Sequence, residues 1–204
     1  MFPSQGVLLG DRVRPDSQQG TYTVLFADLR DSTALSENLS TEAMVDLLNE
    51  FLCALARPII AHGGIVDKFM GDGVMAVFGV GHEFSCGGAV PAARAALAMR
   101  RAVRSLNDAR LARHEAPVRF GVGICTGEVI IARIGLPERS DFTAVGITVN
   151  TAARLSGLCK TYGVDVIVSD ETSSQLNSAE FSVRVLGSAA VQGRTAPLLV
   201  ATLV

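Results

Sequence analysis

Residues 63–79 read Gly-Gly-Ile-Val-Asp-Lys-Phe-Met-Gly-Asp-Gly-Val-Met-Ala-Val-Phe-Gly. Two short apolar stretches flank a central Gly-Asp-Gly, and Asp-Gly within a glycine-rich turn is a strong signal for a β-hairpin. We therefore predict a strand, a tight turn at Asp72 and a second strand.

Helices and strands alternate irregularly on both sides of this hairpin. Ser40 or Thr41 can cap the helix that precedes it, because a side-chain oxygen there satisfies a free N–H of the first turn. Mixed helices and strands with hairpins predict an α+β domain with a mixed sheet. The elements expected are a strand at 21–28, helices at 41–62, 89–113 and 144–162, two strands within 118–132, a strand at 164–169, a short helix at 170–176, and strands at 181–186 and 197–203.

Composition indicates one folded domain. The chain has 204 residues, 49% of them hydrophobic and 19% charged, which excludes intrinsic disorder. Its 18 Lys and Arg against 20 Asp and Glu argue against a general nucleic-acid or acidic-membrane binder. Residues 1–20 lack a basic start followed by an apolar stretch, and we interpret them as a linker or chain terminus before a domain at 21–204.

The sequence has no apolar run near the roughly 18 residues that span a bilayer. The four cysteines, at positions 53, 86, 125 and 159, form no Cys-x-x-Cys pair. We expect them to be small buried hydrophobes in a reducing compartment. These features together predict a cytoplasmic chain without a membrane segment.

Several phosphate and hydrolase motifs are absent from the sequence. There is no Gly-x-x-x-x-Gly-Lys-[Ser/Thr], which excludes a P-loop, and no Gly-x-Ser-x-Gly elbow. Residues 121–127, Gly-Val-Gly-Ile-Cys-Thr-Gly, resemble a dinucleotide fingerprint but have the wrong spacing and no helix after them.

Two acids occupy special positions in the predicted elements. Asp28 ends an apolar strand and Asp72 lies at the tip of the hairpin. If the two strands are neighbours, both carboxylates converge and, with the Leu29 carbonyl, offer hard oxygen ligands suited to Mg²⁺ or Mn²⁺. The alternative is an ordinary strand-end acid and a turn residue. Asp31 and Asp67 we interpret as a helix-start residue and a solvated strand residue.

Asn150 and Arg154 are four residues apart on a predicted helix and therefore share one face. A helical wheel places both outside the apolar arc of that helix. They can be an exposed polar face, or a donor pair for phosphate and ribose oxygens, a task for which the fixed fork of arginine is suited.

Three blocks in order, at 24–33, 63–79 and 141–155, with a weaker one at 120–129, resemble the class III nucleotidyl cyclase catalytic domain. The resemblance extends from about Tyr22 to Leu203. It implies a ferredoxin-like βαββαβ core with extra strands and helices, acting as a head-to-tail homodimer.

The resemblance also implies roles for individual residues. Asp28 and Asp72 match the metal-binding aspartates, which would hold two Mg²⁺ or Mn²⁺ ions per site. In this family one subunit supplies these acids and its partner supplies the other side chains. The other matches are Lys68 and Thr143 for the base, Asn150 for the ribose and Arg154 for the transition state.

The implied reaction is that of an adenylate cyclase, a phosphorus–oxygen lyase that forms 3′,5′-cyclic AMP and pyrophosphate from ATP. Lys68 can donate to adenine N1, and the Thr143 hydroxyl can accept from the 6-amino group. Guanine reverses this pattern, so we expect ATP over GTP. A guanylyl cyclase and a catalytically silent nucleotide-binding regulatory module are the alternatives.

The sequence departs from the family pattern near its end. Residues 191–197 read Val-Gln-Gly-Arg-Thr-Ala-Pro where a phosphate-binding Lys-Gly is common, with Gln192 at the expected position and Arg194 as a candidate substitute. We expect Gly135–Ser140 to form a mobile loop near the site, and residues 80–90 have no assigned role. Thr143 places the chain with a subgroup that includes bicarbonate-responsive members, so bicarbonate is a candidate activator, and an upstream sensor is a candidate regulator.

Overall fold

The structure is a computed structural model, and it describes residues 17–81, 88–136, 139–190 and 196–204. The strands within this part of the chain are β1 (Ser17–Leu29), β2 (Ile65–Met70), β3 (Gly73–Phe78), β4 (Phe120–Leu136), β5 (Arg139–Val145), β6 (Val166–Ser169), β7 (Val183–Ala189) and β8 (Leu198–Leu203). The helices there are α1 (Ser32–Asn38), α2 (Thr41–Ala61), α3 (Ala89–Ala112), α4 (Ile147–Tyr162) and α5 (Asp170–Ser173).

The strands form one mixed sheet in the order β2-β3-β1-β4-β6-β8-β7, with β5 paired to the far end of β4. Strand β1 lies between β3 and β4 and is antiparallel to both. The predicted hairpin is confirmed as β2 and β3, and the predicted α+β class is confirmed by the whole arrangement.

Helices cover both faces of the centre of the sheet. Leu25, Ala27 and Leu29 belong to the apolar cluster that includes α2 and α3, whereas Tyr22 and Val24 belong to the cluster that includes α4. Successive strand residues point to opposite faces, so the part of β1 that helices cover on both sides, from Tyr22 onwards, must be largely apolar. This is why its sequence shows a continuous apolar run instead of an alternating one.

The predicted cap of α2 is present. The Ser40 side chain accepts a hydrogen bond from the Ala43 N–H at 3.2 Å, as expected for an N-cap. The helix ends at Ala61, one residue before the predicted end, and Gly63 follows with a φ of 75°. Within the described residues, no helix is long and apolar enough to cross a membrane.

Helix α4 lies unusually close to β4. A Cβ at Gly123 would lie 2.1 Å from the Ala152 carbonyl oxygen, and one at Gly121 would lie 2.7 Å from that of Ser156. Because real Cβ atoms do not approach backbone this closely, only glycine allows this packing. The Gly-Val-Gly of 121–123 is thus a helix-packing feature, and its likeness to a dinucleotide fingerprint is incidental.

Several predicted elements differ in extent from those of the structure, and two of these differences are instructive. Residues 118–132 were expected to form two strands around Thr126-Gly127, but β4 runs without interruption because both residues pair with β1. The predicted helix at 144–162 begins only at Ile147, since Ala144 pairs with Ile131 as part of β5. In both places strand pairing overrides the local signal.

Two further segments differ from expectation. Gly135 pairs with Ser140, so the expected mobile loop is the end of the β4–β5 hairpin, with residues 137–138 outside the described residues. Residues 17–20, expected to be linker, pair with β4 as the start of β1. Residues 1–16 and 82–87 lie outside the described residues, so the linker prediction for 1–16 and most of the unassigned 80–90 segment have no structural account.

The cysteines in the described residues fit the expectation of small buried hydrophobic side chains. Cys125 and Cys159 are buried, and Cys53 is partly buried. Burial raises the pKa of the Cys159 thiol to about 11.

We predict that Gly123→Ala lowers the free energy of unfolding by about 3 kcal/mol, because the methyl group must push α4 away from β4. Gly157→Ala is the matched control: Gly157 lies on the same helix with nothing within 4 Å of its added Cβ, and alanine there should stabilise the protein by about 0.5–1 kcal/mol. Urea unfolding measures both. A Gly123→Ala variant as stable as the parent would contradict the packing argument.

Candidate active site

Asp28 and Asp72 come together at the end of β1. Asp28 pairs with Gly73 in the β1–β3 ladder, and the Leu29 N–H donates to the Asp72 carbonyl at 3.1 Å. Gly71, with a φ of 63°, allows the tight turn that returns the chain to this point. The pKa of Asp28 is raised chiefly by burial, and the negative charge of Asp72 raises it further.

Asp28 is half-buried, and burial is the main cause of its raised pKa. Two groups oppose this effect: the Ser156 hydroxyl, which donates to Asp28 Oδ2 at 2.8 Å, and the Arg30 guanidinium. Ser156 was missed by sequence reasoning. Its only signal is its position on α4, which becomes meaningful once α4 is known to cross the end of β1.

The donor set at this place fits a hard divalent cation. It consists of two carboxylates and the Leu29 backbone, since the Leu29 side chain is buried in the core. Within the described ranges, no group of three or more His, Cys, Asp or Glu side chains could hold a metal ion. Mg²⁺ is commonly held by one or two carboxylates together with substrate phosphates and water, so two acids are sufficient. The metal-binding role of these residues stays a prediction.

A second polar cluster joins β2 to β5. Lys68 Nζ donates to Thr143 Oγ1 at 2.7 Å, and Thr143 Oγ1 donates to Asp67 Oδ2 at 2.9 Å. Lys68 Nζ is also 3.4 Å from Asp67 Oδ2. The sequence prediction of a solvated Asp67 is wrong: its side chain has 0% exposure, and its Oδ1 is buried without a hydrogen-bond partner among the described residues.

A β-bulge explains how consecutive residues reach the same neighbour. In the β2–β3 ladder Val66 pairs with Ala76 and Lys68 with Met75, which leaves Asp67 as an extra residue. The bulge brings both side chains to Thr143 on the same side of the sheet, whereas regular pleating would point them to opposite faces. Burial raises the pKa of Asp67, and the Thr143 hydrogen bond and the Lys68 charge oppose that rise.

Asn150 and Arg154 lie on the outer side of α4. Asn150 is exposed and Arg154 is half-buried, and neither side chain has a hydrogen-bond or ion-pair partner among the described residues. At 3.6 residues per turn, Arg154 is rotated by roughly 200° from Ser156, the residue that contacts Asp28. The structure therefore keeps this donor pair apart from the two carboxylates of the same chain. Gln192 and Arg194 lie outside the described residues.

The sequence matches the family model described as "Adenylate and Guanylate cyclase catalytic domain" over residues 15–201. The chain belongs to this family. The adenylate cyclase of Anabaena cylindrica is 33% identical over 169 residues, which are 80% of this chain and 32% of that protein. Adenylate cyclase 1 of Rhizobium meliloti is 34% identical over 176 residues, 86% of this chain and 26% of that protein. The chain thus spans about a quarter to a third of these relatives.

Solved cyclase structures have the same fold. The adenylyl cyclase CyaB from P. aeruginosa aligns with a TM-score of 0.86 and 33% identity, covering 93% of this chain and 96% of that one. The guanylyl cyclase Cya2 aligns with a TM-score of 0.81 and 29% identity, covering 93% and 94%. Cyclases of both base preferences therefore share this architecture, so the fold alone does not decide between ATP and GTP.

We predict that Asp28→Asn stabilises the metal-free protein at neutral pH. A raised pKa means that ionised Asp28 opposes folding above its folded-state pKa, and this cost disappears as the pH falls towards the ordinary range of a carboxyl group. Urea unfolding in EDTA should show a higher midpoint for Asp28→Asn than for the parent at pH 7.5. The difference between the two midpoints should narrow as the pH is lowered towards 4.

Asp31→Asn is the control, because its effect on stability should have the opposite sign. The Lys160 and Arg119 side chains, which contact the Asp31 carboxylate, lower its pKa, so ionised Asp31 favours folding and the substitution should destabilise slightly at pH 7.5. An Asp28→Asn variant less stable than the parent in EDTA would contradict the account of this site.

Proposed function

We propose that the chain is an adenylyl cyclase, which converts ATP to 3′,5′-cyclic AMP and pyrophosphate at sites shared across a homodimer. The observation that carries the proposal is the contact between Lys68 and Thr143, a cationic donor beside a hydroxyl at 2.7 Å. The membership of the family and the adenylate cyclases among its relatives support the same reaction.

The Lys68–Thr143 pair is complementary to the edge of adenine. Lys68 can donate to N1, which is an acceptor, and Thr143 Oγ1 can accept from the 6-amino group. Guanine presents an acceptor at O6 and a donor at N1, so both contacts would be mismatched. Mismatched polar groups in a base pocket cost binding free energy, which favours ATP over GTP.

Asp28, Asp72 and the Leu29 carbonyl would hold two Mg²⁺ or Mn²⁺ ions, and Ser156 keeps the Asp28 carboxylate oriented towards them. Bound there, the ions supply activation of the ribose 3′-hydroxyl and neutralisation of the pyrophosphate leaving group. Nucleophile and electrophile belong to one nucleotide, so much of the catalytic work is positioning. We assign ribose orientation to Asn150, and stabilisation of the charge that develops around the α-phosphate to Arg154.

Two copies are needed to complete a site in this proposal. Asn150 and Arg154 face away from the strand that carries Asp28, which supports the proposal that they serve the carboxylates of a partner. The surface around them is also unusually apolar for a solvent-facing region, as expected of an interface. Its exposed members on β4, β5 and the start of α4 are Ile130, Ile134, Leu136, Val145 and Ile147.

The alternatives are less well supported. A guanylyl cyclase fits the fold, as the likeness to Cya2 indicates, but its base would meet Lys68 where an acidic acceptor is needed. A silent regulatory module would be expected to lack one of the metal acids or Arg154, and all are present. A phosphate contact by Arg194, activation by bicarbonate, control by a sensor segment and a cytoplasmic location stay predictions from sequence.

We expect purified protein to form cyclic AMP from ATP and little cyclic GMP from GTP, with Mn²⁺ or Mg²⁺ present. Asp72→Ala should lower the rate by roughly a hundredfold or more, because half of the carboxylate pair is lost. Product analysis by chromatography measures both, and Lys68→Glu should shift the preference towards GTP. Absence of product from either nucleotide would favour the regulatory module, and equal rates would contradict base selection by Lys68 and Thr143.

A mixing experiment tests the shared site. Asp72→Ala and Arg154→Ala homodimers should each be inactive, because both of their sites lack one side chain. In an equal mixture, half of the dimers are mixed and each has one intact site, so activity should recover to about a quarter of the parent value. No recovery after mixing, under conditions where subunits exchange, would contradict a site composed from two copies.

A further inference from the structure

Thr143 has a donor on one side and an acceptor on the other, and these neighbours fix the direction of its hydroxyl. Lys68 Nζ donates to Thr143 Oγ1 at 2.7 Å, while the same oxygen donates to Asp67 Oδ2 at 2.9 Å. A hydroxyl has one proton and two lone pairs. The proton is therefore committed to Asp67, and a third partner of Thr143 meets only a lone pair.

We propose that Asp67 is a positioning residue for base specificity: it holds the Thr143 hydroxyl as an acceptor and so selects a purine that carries an amino group at C6. The proposal rests on the adenylyl cyclase function and deepens it. Asp67 need not touch the nucleotide, because its side chain has 0% exposure and it acts through Thr143.

The chemistry of Asp67 suits this task better than that of a neutral residue. A carboxylate can only accept hydrogen bonds, whereas an amide or a second hydroxyl could also donate and reverse the direction of the Thr143 proton. Its burial removes competing water, which strengthens the preference. Its Oδ1 is buried without a hydrogen-bond partner among the described residues, a cost in folding free energy that is unusual away from functional positions.

Asp67 also shapes the role of Lys68. The ammonium has three N–H donors, of which one is directed to Thr143 and one lies towards Asp67 Oδ2 at 3.4 Å. One donor remains for a ring nitrogen with a free lone pair, such as adenine N1. A 6-oxo purine would place a lone pair of its O6 against the free lone pair of Thr143, and its N1–H against the remaining N–H donor of Lys68.

The experiment compares ATP with inosine triphosphate, which differs from it only in the 6-position and the N1 proton. We expect Asp67→Asn to lower the ratio of kcat/KM for ATP to that for inosine triphosphate by roughly tenfold, since the amide can donate to Thr143 and free its proton for a 6-oxo group. Asp46→Asn, which removes one exposed carboxylate on α2, is the matched control and should leave the ratio unchanged.

A double-mutant cycle distinguishes positioning of the Thr143 hydroxyl by Asp67 from an effect of Asp67 on the charge of Lys68. In a Thr143→Val background, where no hydroxyl remains, Asp67→Asn should have no further effect on the ratio, whereas Thr143→Ser should retain both the ratio and its sensitivity. An equal effect of Asp67→Asn in the Thr143→Val background would show that Asp67 acts only on the charge of Lys68. That result, or an unchanged ratio in the parent background, would overturn the proposal. If Asp67→Asn fails to fold, Asp67→Ser, whose hydroxyl can also donate, serves in its place.

Calorimetric binding of 3′-deoxy-ATP and 3′-deoxyinosine triphosphate, which lack the nucleophile, provides the same ratio without turnover. Selective binding with no product from ATP would reject the adenylyl cyclase function and leave the role of Asp67 to be judged on the binding ratios of the variants. A parent protein that binds both nucleotides equally would overturn the role of Asp67 directly.

Discussion

The close approach of helix α4 to strand β4 is the constraint on which the arrangement of this domain depends. Two glycines remove the side chains that would keep the helix at an ordinary distance, and the carbonyls of Ala152 and Ser156 occupy that space. This contact brings the Ser156 hydroxyl to Asp28 and turns the opposite side of the helix, with Asn150 and Arg154, outwards. This one packing contact therefore supports the Asp28 carboxylate and also keeps Asn150 and Arg154 apart from it.

The two polar clusters are built by different means. The Asp28–Asp72 pair results from regular strand pairing and a tight turn, so its geometry follows from the ladder of β1 and β3. The Lys68–Thr143–Asp67 cluster depends on an irregularity, because regular pleating would point Asp67 away from Lys68. The first cluster opposes folding through like charges in partial burial, and the second through a buried carboxylate oxygen without a partner. Such local costs are typical of positions that serve function.

Much of this could be predicted from sequence, and the reasons for success and failure are physical. The α2 helix and the β2–β3 hairpin depend on local signals, a capping serine and an Asp-Gly turn, and both were found. The extent of β4 was misjudged because it is fixed by pairing with β1, a partner about a hundred residues away, and the start of α4 was misjudged because the residues before it pair with β4. Ser156 escaped notice and Asp67 was wrongly expected to be solvated, because their importance arises only from contacts across the fold and a bulge leaves no local signal in the sequence.

The bulge in β2 also determines whether this strand tolerates the loss of a residue. Val66 and Lys68 pair with Ala76 and Met75, which are themselves consecutive, so the ladder on either side of Asp67 is already in step without it. Loss of that one residue would leave a regular hairpin with its inward and outward positions unchanged. Position 67 is therefore a site in the middle of a strand where the loss of a single codon is compatible with the sheet, and where that loss removes a buried carboxylate.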